Sequence, residues 1–341
     1  MTQRVKNFFF RIISASFFLM LMLNGAAQHQ RFSFTEQKMG APFTIVFYAP
    51  DSASANQLAR QCFRLVDSFV LIFSDYLDSS ELSRLTTAAG KELQPIPVSP
   101  ALMDILLLSK TGYEKSGGAF DITIGPLSAL WRAARKSKQF PTDEAVQAAK
   151  RLVGFNNLRI DTLHKTVLFL QSGIQLDLGG IAQGYIAQKV MDFLQARQVT
   201  NALVNASGDI VTSGPPPGLP GWTVGVNMPQ HNKDLLEKKL LLQHKAVTTS
   251  GDLYQYMEHG GKKYSHIIDP RTGYGVTFHR NITVIANDGA TADWLATACS
   301  ILPIRKTKKI IRQFDAVFIA SEMKRGKVVV RTSLGIRDYW K

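Results

Sequence analysis

Cysteine is nearly absent from the chain: Cys62 and Cys299 are the two in 341 residues. Neither has a second Cys or a His nearby at metal-ligand spacing, so a disulfide scaffold and thiolate-metal architectures are excluded. Both lie on segments whose apolar spacing reads as a buried helix face, and two buried thiols are expected in preference to one bridge. Negative charge is also scarce, with 26 acidic against 40 basic residues and a formal charge of +14. Such a surplus suits nucleic acid, a membrane surface or an anionic small substrate. The basic residues are scattered except at Arg305 to Lys309 with Arg312, and no RNA-binding aromatic signature or zinc-finger spacing accompanies them. Nucleic acid is therefore set aside. Internal repeats and low-complexity tracts are lacking too, and a chain 45% hydrophobic can bury one large core or two moderate ones.

No apolar run is comfortably long enough to span a bilayer. The run from Ile12 to Leu23 falls short of the roughly 20 residues required. Preceded by Arg4, Lys6 and Arg11 and followed by Gly25, Ala26 and Ala27, it has the order of a secretory signal peptide. Residues 1–27 are thus expected to be a signal peptide and 28–341 a single domain. Counting back through Phe8 to Phe10 lengthens the run, so an uncleaved N-terminal anchor is the alternative. No Cys follows the run, which excludes a cysteine-attached lipid anchor.

What is present centres on Gln175 to Lys189. Ile174, Leu176 and Leu178 alternate as in a strand, Gly179-Gly180 form a tight turn, and Ile181, Tyr185, Ile186, Val190 and Phe193 recur at helical spacing. A glycine turn lets backbone approach a ligand, and a helix start offers N–H groups and positive dipole to a phosphate. Asp177 stands at the strand's end, able to face that ligand. Gly179, Gly180 and Gly184 give GGxxxG, which is no dinucleotide fingerprint, and Tyr185 stands where a Walker A loop needs Lys. Packing alone explains these glycines equally well.

Before this stretch, a strand is expected over Phe43 to Tyr48 and a helix carrying Leu58, Cys62, Leu65, Val66, Phe69, Ile72 and Phe73 on one face. Tyr76 follows it, either folded on the core or free to stack on a flat ligand. Ser80 to Leu85 reads as a short helix or turn. Ser99-Pro100 is a helix start that Gly117-Gly118 stops. Asp121 and Thr123 share a face of an extended piece that Gly125-Pro126 breaks, inside a core or on a pocket wall. Thr142 caps a short helix ending near Gly154, and Leu158 to Ile160 with Thr166 to Leu170 form a hairpin.

After it, Ala202 to Val204 is a strand ending in the polar turn Asn205 to Asp209, where ordinary turn chemistry is a sufficient account. Strands are expected at Thr223 to Val226, Lys239 to Leu242 and Ala246 to Thr248, with a third polar turn at Thr249 to Asp252. His259 to Lys262 turns a hairpin into Tyr264 to Gly273, placing His266 in a strand. A lone strand His is more often a hydrogen-bonded core residue than a catalyst. Thr291 is expected to cap a helix over Ala292 to Leu302, on which Asp293 and Thr297 project from one face. With a nearby carbonyl they form an incomplete oxygen shell of the kind Mg²⁺ accepts beside substrate phosphates, although a dipole role for Asp293 and packing for Thr297 explain them alone. A final helix is expected near Lys308 to Phe314, with strands at Ala316 to Ala320 and Val328 to Arg331.

In order, the segments MGA, SDYLDSSELSRL, GAFDITIGPLSALW, LDLGGIAQGY, LVNASGD, TTSGD, YSHIIDPRTG and TADWLATA, spread over Met39 to Thr332, resemble the ApbE family, the FAD:protein FMN transferases. The resemblance implies an ApbE/T-fold-like, two-lobed α+β architecture with mixed sheets flanked by helices. It implies FAD as substrate, Mg²⁺ at the pyrophosphate, and transfer of the FMN half to a Thr or Ser hydroxyl of an acceptor protein with release of AMP. Flavin or adenine contacts are implied from Met39, Tyr76, Phe120, Asp121, Thr123, Asp177 and His266, and metal ligation from the Gly180 carbonyl, Asp293 and Thr297. Asp293 would act catalytically through the metal. His266, or a carboxylate of the acceptor, would take the proton.

The chain departs from the family pattern at four positions. Gln183, at the cofactor site, stands where many members carry Lys in GGIAKG, removing a cation near the phosphates. Ala41 replaces a Thr, Ser207 replaces a Gly of the Asn-Ala-Gly-Gly-Asp turn, and Trp294 fills a usually small position, which would narrow the metal pocket. The implied acceptor is a flavoprotein subunit of an exported or membrane redox complex. The implied location is the periplasmic face of a bacterial inner membrane, with association at the membrane surface. Two rival readings are hydrolysis of FAD to FMN and AMP by the same site, and a non-catalytic flavin-binding protein.

Overall fold

A computed structural model describes residues 29–89, 94–226, 238–251, 256–278, 280–324 and 327–341. The expected leader and Asp252 lie outside the described residues. The chain opens with β1 (Gln30–Lys38) and β2 (Ala41–Ala49), then α1 (Ser52–Phe73), α2 (Glu81–Ala89), β3 (Ile96–Pro97) and α3 (Pro100–Ser116). Next come α4 (Gly125–Ser137), α5 (Asp143–Lys150), β4 (Leu158–Asp161), β5 (Thr166–Phe169) and α6 (Ala182–Gln195). Strands β6 (Ala202–Ala206), β7 (Asp209–Thr212), β8 (Trp222–Val224), β9 (Leu240–Leu242), β10 (Ala246–Gly251), β11 (Tyr256–His259), β12 (Lys262–Ser265) and β13 (Arg280–Ala286) follow. Helices α7 (Gly289–Ile301) and α8 (Ile304–Ile311) and strands β14 (Val317–Lys324) and β15 (Lys327–Thr332) complete the order.

An eight-stranded sheet, β1-β2-β6-β7-β10-β13-β14-β15, is the frame. Each of its pairings is antiparallel. Apolar residues of β2, β6 and β13 such as Phe43, Ile45, Val204, Ile282 and Val284 join α1, α6 and α7 in one large core. The opposite face is covered by β8, β9 and a terminal 3₁₀ turn through Val224, Leu240, Leu242 and Ile336. A third, smaller cluster binds α4, α5 and the segment after β12 through Leu127, Trp131, Val146 and Ile268. The expected α+β fold is therefore present, and among the described residues parallel pairing is confined to the isolated bridge Ile124–Gln175.

Local chemistry sets the helix limits. Asp51 accepts from Ser54 N at the start of α1, and Ser99 caps α3, which Gly117 ends in the left-handed region at φ 62°. Helix α7 is buried around most of its circumference, as its largely apolar sequence requires, and Asp293 is its one carboxylate. It can lie this deep because α6 crosses it at Gly184 and Gly289. A Cβ on Gly184 would meet Gly289 O at 2.2 Å and Asp293 Cβ at 2.7 Å.

Several sequence expectations are corrected. Ile174, Leu176 and Leu178 are buried in alternation but join no sheet; Gly125 N to Gln175 O (3.2 Å) and Asp177 N to Ile122 O (2.8 Å) tie the run to the turn before α4. The alternation reports apolar cover on one side, which helices supply as well as a sheet does. Gly125-Pro126 opens α4 instead of breaking a strand, since proline is tolerated in a first turn. Asp121 and Thr123 share a tight turn, not an extended face, because Asp121 Oδ1 accepts from both Thr123 N and Thr123 Oγ1. Asp288 caps α7 by accepting from Thr291 N, so Thr291 lies inside the helix. Thr249 to Gly251 continue β10, His266 follows β12 in a bend, and β1 had not been anticipated. Cys62 and Cys299 are buried free thiols.

Gly184→Ala forces α6 and α7 apart and is expected to cost about 1–3 kcal/mol. Urea unfolding checks this, and an unchanged midpoint would contradict the crossing.

Candidate active site

The glycine corner and the buried helix meet at one cleft of about 370 Å³. Its walls are Asp75 and Tyr76 after α1, Ala119 to Asp121 with Ile124, the face of α4 bearing Ser128, Arg132 and Arg135, the corner residues Asp177, Gly179 and Gly180 with Gln183, Asp209 of β7, Thr248 to Gly251 of β10, His266 to Ile268 with Pro270, and Asp293, Thr297 and Ile301 of α7. Nine of the residues singled out in the sequence line it: Tyr76, Phe120, Asp121, Asp177, Gly180, Gln183, His266, Asp293 and Thr297. They arrive from five separate stretches of chain.

Met39 and Thr123 are not among the lining residues. Met39 turns β1 into β2 at φ 53° and packs against the large core. Thr123 is fully buried; its hydroxyl donates to Asp121 Oδ1 at 2.6 Å and accepts from Gly154 N at 2.8 Å. Both thus brace neighbouring backbone. Trp294 does not narrow the cleft either. Its ring is buried behind Phe120, with centroids 6.1 Å apart, and edge-on to Phe314 at 5.0 Å. Ser207 lies in the β6–β7 turn at φ 57°, its hydroxyl donating to Pro42 O.

Gly180 and α7 are in near contact. A Cβ on Gly180 would stand 3.0 Å from Thr297 Oγ1, so only glycine leaves the corner backbone against that hydroxyl. One turn along α6, Gly184 N donates to Asp293 Oδ2 at 3.1 Å. Ala182 N is also bound, to Leu178 O, so the helix start offers fewer free N–H groups than the sequence suggests. No side chain caps it.

Two carboxylates are buried here: Asp293 is 4% exposed and Asp209 is 7% exposed. Among the described residues no lysine or arginine pairs with either. Burial raises the Asp209 pKa to about 7 against the Thr248 hydrogen bond. Burial and the Asp209 charge push Asp293 well above the ordinary range, against the Gly184 N–H. Uncompensated buried carboxylates are costly unless protonated or bound to a cation. Among the described residues no three acidic, His or Cys side chains converge. A cation here would complete its shell from the Thr297 hydroxyl, the Gly180 carbonyl, water and ligand oxygens, a hard-oxygen set that fits Mg²⁺.

At the mouth, Arg132 donates to Asp75 Oδ2 at 2.7 Å, lies 3.9 Å from Asp177 Oδ2, and stacks 4.2 Å from the centre of the Tyr76 ring. The ring is 73% exposed, so its other face is open. Burial and the Asp177 charge raise the Asp75 pKa while Arg132 opposes them. Trp131, on the far side of α4, donates through Nε1 to Gly273 O at 2.8 Å and so anchors the segment carrying His266.

Sequence reasoning missed Asp75, Arg132, Arg135 and Asp209. The signal for Asp209 was a carboxylate opening an otherwise apolar strand. For the arginines it was the spacing Ser128, Arg132, Arg135, which sets all three on one helical face.

Fold and site together define an α+β protein with a carboxylate-rich cleft at a helix crossing. The ApbE family model matches residues 39–319. An FAD:protein FMN transferase of Klebsiella pneumoniae is 31% identical over 292 residues, covering 84% of this chain and 89% of the relative. One from Treponema pallidum is 30% identical over 332 residues, covering 92% and 90%. The flavinyl transferase ApbE of Pseudomonas stutzeri, solved in its apo form, superposes with a TM-score of 0.81 at 25% identity over 91% of this chain and 97% of that one. The chain belongs to the ApbE family.

In metal-free protein, the raised Asp209 pKa means the folded state keeps a proton that the unfolded chain releases above about pH 4. Stability is then lost as pH rises from there through about 7. Asp209→Asn is expected to melt above wild type at pH 8 in EDTA and near it at pH 4. A lower melting temperature at pH 8 would contradict the buried pair.

Proposed function

We propose that this chain is a Mg²⁺-dependent FAD:protein FMN transferase that esterifies a Thr or Ser of an acceptor protein. The observation that supports it most directly is the apposition of Gly180, Asp293 and Thr297 on one cleft, with Asp209 beside them. The Gly180 carbonyl, Asp293 and Thr297 would hold the cation, with Asp209 adding charge. Bound there, Mg²⁺ would neutralise diphosphate charge. Tyr76, backed by Arg132, offers its open face to a ring of the dinucleotide.

The acceptor hydroxyl oxygen bonds to the phosphorus of the FMN half while that phosphorus loses its bond to the bridging oxygen, and AMP leaves. The hydroxyl proton passes to a base, a role the His266 imidazole on the cleft wall would serve. Chemistry of this kind depends chiefly on alignment and charge neutralisation, which the rigid corner and the buried helix supply. The basic, apolar, small-residue order of residues 1–27 supports an exported enzyme acting on a flavin-carrying subunit of a redox complex.

Incubation with FAD, Mg²⁺ and such a subunit is expected to add one FMN-sized increment to the acceptor, read by intact mass. Asp293→Ala should lose transfer while keeping the fold. Normal modification by that variant would refute the metal assignment, and AMP release without an acceptor would favour hydrolysis.

A further inference from the structure

The cleft holds five carboxylates, Asp75, Asp121, Asp177, Asp209 and Asp293, against two guanidiniums, Arg132 and Arg135. Arg132 is committed to Asp75 and Asp177 and to the Tyr76 ring. Arg135 is not. It lies one turn further along α4, half-buried on the same face, and among the described residues it makes no ion pair or hydrogen bond. Burial and the neighbouring Arg132 charge both work against its cationic form. A half-buried guanidinium beside another, facing a cavity, is held at a cost that an incoming anion would relieve. Gln183, which lines the same cleft, brings no charge.

We propose that Arg135 is an anion-binding residue of this cleft and contacts the phosphate charge of the bound dinucleotide. This rests on the flavin-transferase reading and adds a residue that supplies positive charge from α4 to the cleft that the carboxylate pair also lines. Arg132 orients Tyr76 and Arg135 receives phosphate, so the two arginines divide ring and charge recognition between them.

The test compares wild type, Arg135→Met and Arg135→Lys for binding of FAD, AMP, riboflavin and adenosine by calorimetry, with Mg²⁺ and in EDTA, together with the KM for the acceptor protein. Arg135→Met keeps the apolar stem and is expected to weaken FAD and AMP by about tenfold or more. Riboflavin and adenosine should stay within about twofold, and Arg135→Lys should recover most of the loss by keeping the charge. The AMP effect should persist in EDTA. Equal losses for charged and uncharged ligands would mean packing and overturn the proposal, as would no loss at all. A rise confined to the acceptor KM would overturn it in favour of an acidic acceptor segment. Absence of FAD binding by wild type would instead remove the underlying functional reading.

Discussion

Two helices touch backbone to backbone at Gly184 and Gly289, and the rest of the site depends on that contact. With no side chain between them, α6 donates a backbone N–H directly to Asp293, and the corner that precedes α6 lies against Thr297. A larger residue at either glycine would pull the corner's carbonyl away from the only carboxylate on α7. The same crossing buries Asp293 near Asp209, so steric closeness is converted into electrostatic demand. Among the described residues neither desolvated carboxylate has a lysine or arginine partner, so both are poised for a proton or a divalent cation.

Charge is distributed along the cleft in a way that suits a dinucleotide. Among the described residues, acid without a lysine or arginine partner sits at the buried end, the place proposed for a hard cation. Arginine sits on α4, with one guanidinium neutralised by Asp75 and Asp177 and spent on the Tyr76 ring. The satellite cluster around Trp131 ties α4 to the segment carrying His266, through apolar packing and the Trp131 hydrogen bond to Gly273 O. The large sheet behind them supplies rigidity through β13, buried along its whole length.

Much of this was legible in the sequence because local chemistry wrote it there. The caps Ser99 and Thr142, the stop at Gly117, the hairpins and the stripe of α1 each follow from a few neighbouring residues. The alternation at Ile174 to Leu178 misled because buried period-2 patterning does not say what covers it. Asp209 and the α4 arginines were illegible for another reason. Their importance comes from partners far along the chain, Asp293 for the first and Asp75, Tyr76 and Asp177 for Arg132, and no local window contains both members. Trp294 looked like an obstruction because its neighbour Asp293 faces the cleft, but adjacent helical positions diverge by about 100°.

The central claim is that one cation site is bounded by the Gly180 carbonyl, Asp293 and Thr297. Anomalous diffraction from crystals grown with Mn²⁺ and AMP tests it most directly. The account predicts a single strong peak within coordination distance of those three groups and lost in Asp293→Ala. A peak elsewhere in the cleft, or one that survives that substitution, would contradict it.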